Sequence, residues 1–117
     1  PSTIPETIGT FFEMDQMSPF MNIVAKVIKD NIPAVTHVDG TARVHTVTKI
    51  INERYYELIS RFGEKTGVPV LLNTSFNIQE PIVYSPKDAI QTFVNSGVDV
   101  LVIEDYIVKR EDLKKFK

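Results

Sequence analysis

"SPKDAIQTFVNSGVDVLVI", residues 85–103, is the stretch whose reading decides the fold. Ser85 stands in the N-cap place and Pro86 in the first turn. Asp88 follows three residues after the cap, where a carboxylate meets the free N–H groups of a helix start. Ala89, Ile90, Phe93 and Val94 keep the three-and-four spacing of a buried stripe, and Gly97 offers a stop. The following "VDVLVIEDYIV", residues 98–108, is β-rich and predicts a strand.

The same alternation is present upstream. Asn52 can cap a helix striped by Tyr55, Leu58, Ile59 and Phe62. Arg54, Glu57, Arg61 and Lys65 fall largely on its other side, and Gly67 closes it. "VPVLL", residues 68–72, fits a strand covered on both faces, and "PIVY", residues 81–84, reads as another. Strand, helix and strand in alternation predict an α/β (α+β) fold with a twisted, mixed, partly parallel sheet and flanking helices. The first half is less decisive. "PFMNIVAKVIKDNI", residues 19–32, fits a helix through Phe20, Ile23, Val24, Val27 and Ile28, or a strand through Met21, Ile23, Ala25 and Val27. Its β-branched content and the lack of a stop before Pro33 favour the strand. "IPAVTHV", residues 32–38, predicts a strand, and Asp39-Gly40 a hairpin turn into "TARVHTVT", residues 41–48. Such a hairpin would put Thr36 and Arg43 on one face and His37 on the other.

A chain of 117 residues accommodates one domain, and 43% hydrophobic with 24% charged residues can build a core without covalent staples. A net charge of −2 creates no field that would draw nucleic acid or an anionic membrane. The absence of cysteine removes disulfides, thiol catalysis and thiolate metal sites. No apolar run approaches membrane-spanning length, and the start lacks a hydrophobic signal core, so the expected location is the cytoplasm. Residues 1–17, opening "PSTIPETIG", read as an extended lead-in, the domain as 18–108, and residues 109–117 as a charged, solvated tail.

Two polar clusters follow apolar runs: "THVDGTAR", residues 36–43, and "NTSFN", residues 73–77. In open α/β sheets ligands lie beyond the carboxyl ends of strands, so neighbouring strands would bring both clusters to one crevice. Arg43 is a permanently charged fork suited to phosphate oxygens, and His37 can give a proton or a neutral hydrogen bond. Thr41, Asn73, Thr74, Ser75 and Asn77 add neutral donors and acceptors. The set suits positioning and polarising an anionic ligand. It lacks a His–Asp relay for Ser75 that would mark a nucleophile. Plainer readings stand beside this one. A polar loop can merely cap a strand, "NTS" also matches a glycosylation sequon, and His37 with Asp39 lacks a third metal ligand. Glu104-Asp105 reads as a strand edge or turn.

"IPAVTHVDGTARVHTV", "NTSFN", "EPIVYSPKDAI" and "DVLVIEDYIV", in this order, resemble the carboxy-terminal domain of the O-carbamoyltransferase family, which includes nodulation-factor and antibiotic carbamoyltransferases. The resemblance implies a fold like that of threonylcarbamoyl-adenylate synthases, here a truncated domain. It implies an activity that joins carbamoyl phosphate and ATP, with Mg²⁺ on the nucleotide, into carbamoyl-adenylate. An N-terminal transferase domain of the same protein would then pass the carbamoyl group to an acceptor hydroxyl. Carried over by position, His37 and Arg43 would contact the carbamoyl or phosphate moiety as catalytic residues. Thr41, Asn73, Thr74, Ser75 and Asn77 would bind substrate or nucleotide. The alternative is a non-catalytic nucleotide-binding or protein-interaction module retaining the fold. Single-stranded RNA binding fits poorly with the acidic balance. The sequence departs from the resemblance at His45, where glutamine is expected, and in "NIQEPIV", which lacks an expected glycine.

Overall fold

The computed structural model describes residues 1–113 and divides the chain into two units, Pro1–Asn73 and Thr74–Lys117. In the first unit, β1 (Ser2–Thr3), β2 (Ile23–Lys26), β3 (Thr41–Thr46) and β4 (Val70–Leu71) form one sheet in the order β2-β3-β1-β4. β1 runs parallel to β3, while β2–β3 and β1–β4 are antiparallel, so the sheet is mixed as expected. Within β3 the side chains alternate. Ala42, Val44 and Thr46 are buried, whereas Thr41, Arg43 and His45 face the other way and are wholly or partly exposed. Period two in a strand with one covered face requires this division.

The covered face packs Ala25, Ala42 and Val44 against Phe11, Phe12, Ile32 and Val70. Residues 1–17 are therefore no lead-in to the domain. They supply β1 between β3 and β4, a 3₁₀ turn at Pro5–Thr7, the short helix α1 (Ile8–Phe11) and two core phenylalanines. A strand of two hydroxyl residues carries no hydrophobic period and could not be recognised by one. Its side chains are fully buried and hydrogen-bonded. The Ser2 hydroxyl lies 2.8 Å from His45 Nδ1, and the Thr3 hydroxyl donates to the Pro69 carbonyl at 3.0 Å. Residues 32–38 are not a strand either. Pro33–Val35 form a 3₁₀ turn, and Pro33 has no N–H to give to a strand ladder. β3 pairs instead with β2, which settles residues 23–26 as strand.

α2 (Glu53–Thr66) has both expected ends. Asn52 Oδ1 accepts from the Tyr55 N–H at 3.1 Å, and Gly67 takes the left-handed φ of 76°. Ile59 is fully buried with Ile4 and Val47, flanked by Tyr55, Tyr56 and Leu71. Leu58, at 55% exposure, and Phe62 lie outside the buried stripe expected for them. Gly63 faces Pro69 so closely that a Cβ there would stand 2.6 Å from the proline Cβ.

The second unit holds α3 (Pro86–Asn95), the hairpin of β5 (Val100–Ile103) with β6 (Tyr106–Lys109), and α4 (Arg110–Leu113). Ser85 caps α3 as expected, accepting from the Asp88 N–H at 3.2 Å. The run read as one strand is two, because Glu104-Asp105 is a turn in which Glu104 takes a φ of 51°. Residues 81–84 form no strand. Ile82 and Tyr84 are exposed, and with Pro81 a proline opens the segment. Ala89 and Phe93 are buried, but Ile90 and Val94 are exposed and Thr92 takes an inward place. The Thr92 hydroxyl donates to Glu80 Oε1 at 2.6 Å, and this bond is the first reason that the Glu80 carboxyl is lowered to about 2.

The end of α3 is not closed by Gly97, which takes no left-handed conformation. Arg110 does this work: its guanidinium donates to the carbonyls of Phe93 (2.7 Å), Ser96 and Val98 (2.9 Å), and sits 5.3 Å from the Phe93 ring centroid. The tail expected to be solvated thus carries a structural arginine at its second position. Residues 114–117 of that tail lie outside the described residues.

Two outcomes follow from the packing. Gly63→Ala gains about 1 kcal/mol of helix propensity but forces a rigid clash costing about 1–3 kcal/mol. Thermal unfolding is expected to show a lower Tm, and an unchanged or higher Tm would refute the close Gly63–Pro69 approach. His45 is lowered from its ordinary value of 6.5, first by burial. The unfolded chain then binds the proton more readily, so stability is full above 6.5 and falls as pH drops below it. Unfolding midpoints measured from pH 7 to pH 5 are expected to fall less steeply for His45→Gln than for the unmodified chain.

Candidate functional site

The open side of β3 carries the site. Thr41, Arg43 and His45 occupy alternate positions, and the Cα register sets Val24 of β2 opposite Arg43 and Ser2 of β1 opposite His45. Asn73 comes two residues after Leu71, which pairs with Ser2. An open cavity of about 300 Å³ results, with His37, Thr41, Arg43 and Asn73 among its lining residues. Four of the seven candidate residues therefore meet in one place. Thr74, Ser75 and Asn77 belong to the second unit. There Thr74 and Ser75 are exposed, and the Asn77 amide donates to the Glu80 carbonyl at 3.0 Å. Phe76 is half-buried in the same unit, and its carbonyl accepts from the Val83 N–H at 3.1 Å.

The loop before β3 is held by Asp39. Its Oδ1 accepts from the Thr41 N–H at 2.9 Å and from the Thr41 hydroxyl at 2.6 Å, and lies 3.3 Å from His37 Nδ1. The Thr41 hydroxyl is the first cause, ahead of the backbone bond, of the lowered Asp39 pKa. Gly40 takes a φ of 79°, as an Asx-supported turn of this shape requires. The His37 carbonyl accepts from Gly40, and its N–H donates to the Thr41 carbonyl. This closes a tight loop rather than a two-stranded hairpin. For that reason His37 shares the cavity with Thr36 and Arg43, against the opposite-face expectation.

Arg43 is exposed, and among the described residues no carboxylate pairs with it. Asp39, the acid of the neighbouring loop, is occupied by Thr41 and His37. A guanidinium fork standing in a concave surface with neutral donors and acceptors around it is chemistry for an oxyanion. No cluster of three or more His, Asp or Glu side chains fit to hold a metal occurs among the described residues. Nor is any helix among them long and apolar enough to cross a membrane.

Three members of the neighbourhood escaped the sequence reading as site residues. His45 could have been found by counting two residues on from Arg43 along the same strand face. Asp39 was visible as a turn residue and as half of an incomplete metal pair with His37. Ser2 gave no signal, because its placement depends on long-range pairing.

Comparison with known proteins agrees with the arrangement of motifs. The family model described as "Carbamoyltransferase C-terminus" matches residues 1–110. The nodulation protein NolNO of Sinorhizobium fredii is 48% identical, over 94% of this chain and 17% of its own length. The nodulation protein NolO of Bradyrhizobium diazoefficiens is 44% identical, over 94% of this chain and 21% of its own length. The 3'-hydroxymethylcephem-O-carbamoyltransferase of Amycolatopsis lactamdurans is 34% identical, over 92% of this chain and 21% of its own length. The chain thus spans about a fifth of the length of these relatives. With both clusters in order and the match running through almost all of the described residues, the chain belongs to the carbamoyltransferase C-terminus family.

Proposed function

We propose that this chain is the carbamoyl-adenylate-forming part of an O-carbamoyltransferase, which uses carbamoyl phosphate and ATP to activate a carbamoyl group. The observation that carries the reading is Arg43, an unpaired guanidinium among the described residues, lining one cavity with Thr41, His37 and Asn73. The relative from Amycolatopsis lactamdurans bears the name of an O-carbamoyltransferase, which supports transfer to a hydroxyl acceptor. Transfer itself would fall to an N-terminal domain of the kind that the relatives' greater length can hold.

Two anions must be brought together to make a mixed anhydride, so charge neutralisation and orientation supply most of the catalysis. Arg43 would hold the donor's phosphate or carbamate oxygens, with His37 beside it and the Thr41 hydroxyl oxygen, whose proton is given to Asp39, left as an acceptor. Thr74, Ser75 and Asn77 are proposed as nucleotide contacts in their own unit. Water first cleaves carbamoyl phosphate to carbamate and free phosphate; attack of the carbamate oxygen on the α-phosphorus of ATP then breaks the α–β phosphoanhydride bond and releases pyrophosphate. Mg²⁺ would arrive on the nucleotide's phosphates, whose charge it neutralises.

The test is pyrophosphate release from ATP and Mg²⁺, with and without carbamoyl phosphate. Release that depends on carbamoyl phosphate is expected, and Arg43→Gln should lower it about a hundredfold. Calorimetric binding of ATP without any release would instead support a non-catalytic nucleotide-binding module.

A further inference from the structure

His45 touches Asn73, a lining residue of the cavity, and has no role in the reading above. Its Nδ1 lies 2.8 Å from the Ser2 hydroxyl and 3.2 Å from Asn73 Nδ2. With the Asn73 NH₂ facing the ring, Nδ1 accepts and the ring proton sits on Nε2. The Ser2 hydroxyl, fully buried with this ring nitrogen as its partner, then shares the single Nδ1 lone pair as a second donor. Burial of the imidazole also favours its neutral form. The ring is steadied from α2 by Tyr55, 6.4 Å away between centroids.

The consequence falls on Asn73. With Nδ2 committed to His45, the other arm of the amide is its carbonyl oxygen, for which the described residues provide no donor. Asn73 lines the same cavity as the Arg43 guanidinium. An acceptor and a cation in one concave surface suit a ligand that is both an anion and an N–H donor. A plain anion of equal charge would leave the acceptor unsatisfied, and a buried or half-buried unpaired carbonyl is penalised.

We propose that His45 is a positioning residue that fixes the Asn73 amide with its oxygen toward the ligand, making the Arg43 cavity selective for a carbamoyl anion over anions lacking an N–H group. This rests on the reading of the cavity as the carbamoyl-donor site. Asn73 thereby acts on the donor's amino group rather than on the adenylate.

The test has two arms. In the unliganded 117-residue chain, ¹⁵N spectra of the His45 ring are expected to show a proton on Nε2 and a bare Nδ1; a proton on Nδ1 would overturn the proposal. In the second arm, calorimetry compares carbamoyl phosphate with acetyl phosphate, which carries a methyl group in place of the amino group. A preference of about tenfold is expected, the worth of one hydrogen bond. His45→Phe should erase that preference while acetyl phosphate still binds, and His45→Gln, which keeps an acceptor for Asn73, should restore it. Equal binding of the two phosphates by the unmodified chain, or a preference that survives His45→Phe, would overturn the proposal alone. Failure of both to bind would remove the donor-site reading and the proposal together.

Discussion

The first unit depends on a constraint imposed by two residues. Ser2 and Thr3 complete the sheet between β3 and β4, and both hydroxyls are fully buried and bonded, one to a ring nitrogen and one to a carbonyl. Because a strand's faces alternate, fixing His45 opposite Ser2 fixes the whole of β3. Ala42 and Val44 must then enter the core, and Thr41, Arg43 and His45 must stay outside it. A slip of one residue would bury the guanidinium, at a cost no core could offset. The register of a minimal strand thus decides where the charge is displayed.

From that register the chemistry of the open face follows. Among the described residues no carboxylate pairs with Arg43, and Asp39 is tied to Thr41 and His37 through one oxygen. The same contacts shape the loop that brings His37 to the cavity. On the other flank, Asn73 is anchored through its amide nitrogen to His45. The surroundings of Arg43 are therefore held in place by hydrogen bonds among its neighbours, which is how a site can wait for an anion without reorganising.

Local signals were legible where the physics is local. The caps at Asn52 and Ser85, the left-handed Gly67 and the Asp39-Gly40 turn all depend on residues within a few positions, and each is present. What failed depended on distant partners. Ser2–Thr3 is a strand only because β3 and β4 accept it, and residues 32–38 lose strand form because β3 pairs with β2 instead. Arg110 was hidden within a run of charges, although it closes α3 from a position fifteen residues beyond that helix. In the site, the types of residue could be named from their chemistry, and the meeting of Arg43 with Asn73 follows from the sheet order. His45 needed both the register and a hydrogen-bond partner from the first strand before it acquired meaning.

The central claim is that the open face of β3 receives an anionic carbamoyl donor. Backbone amide shifts recorded during a titration with carbamoyl phosphate test it most directly. The account predicts saturable shifts centred on Thr41, Arg43 and Asn73, with His37 moving as the neighbouring loop responds. Shifts confined to the groove of the second unit around Glu80 and Thr92, with residues 41–45 unmoved, would contradict it.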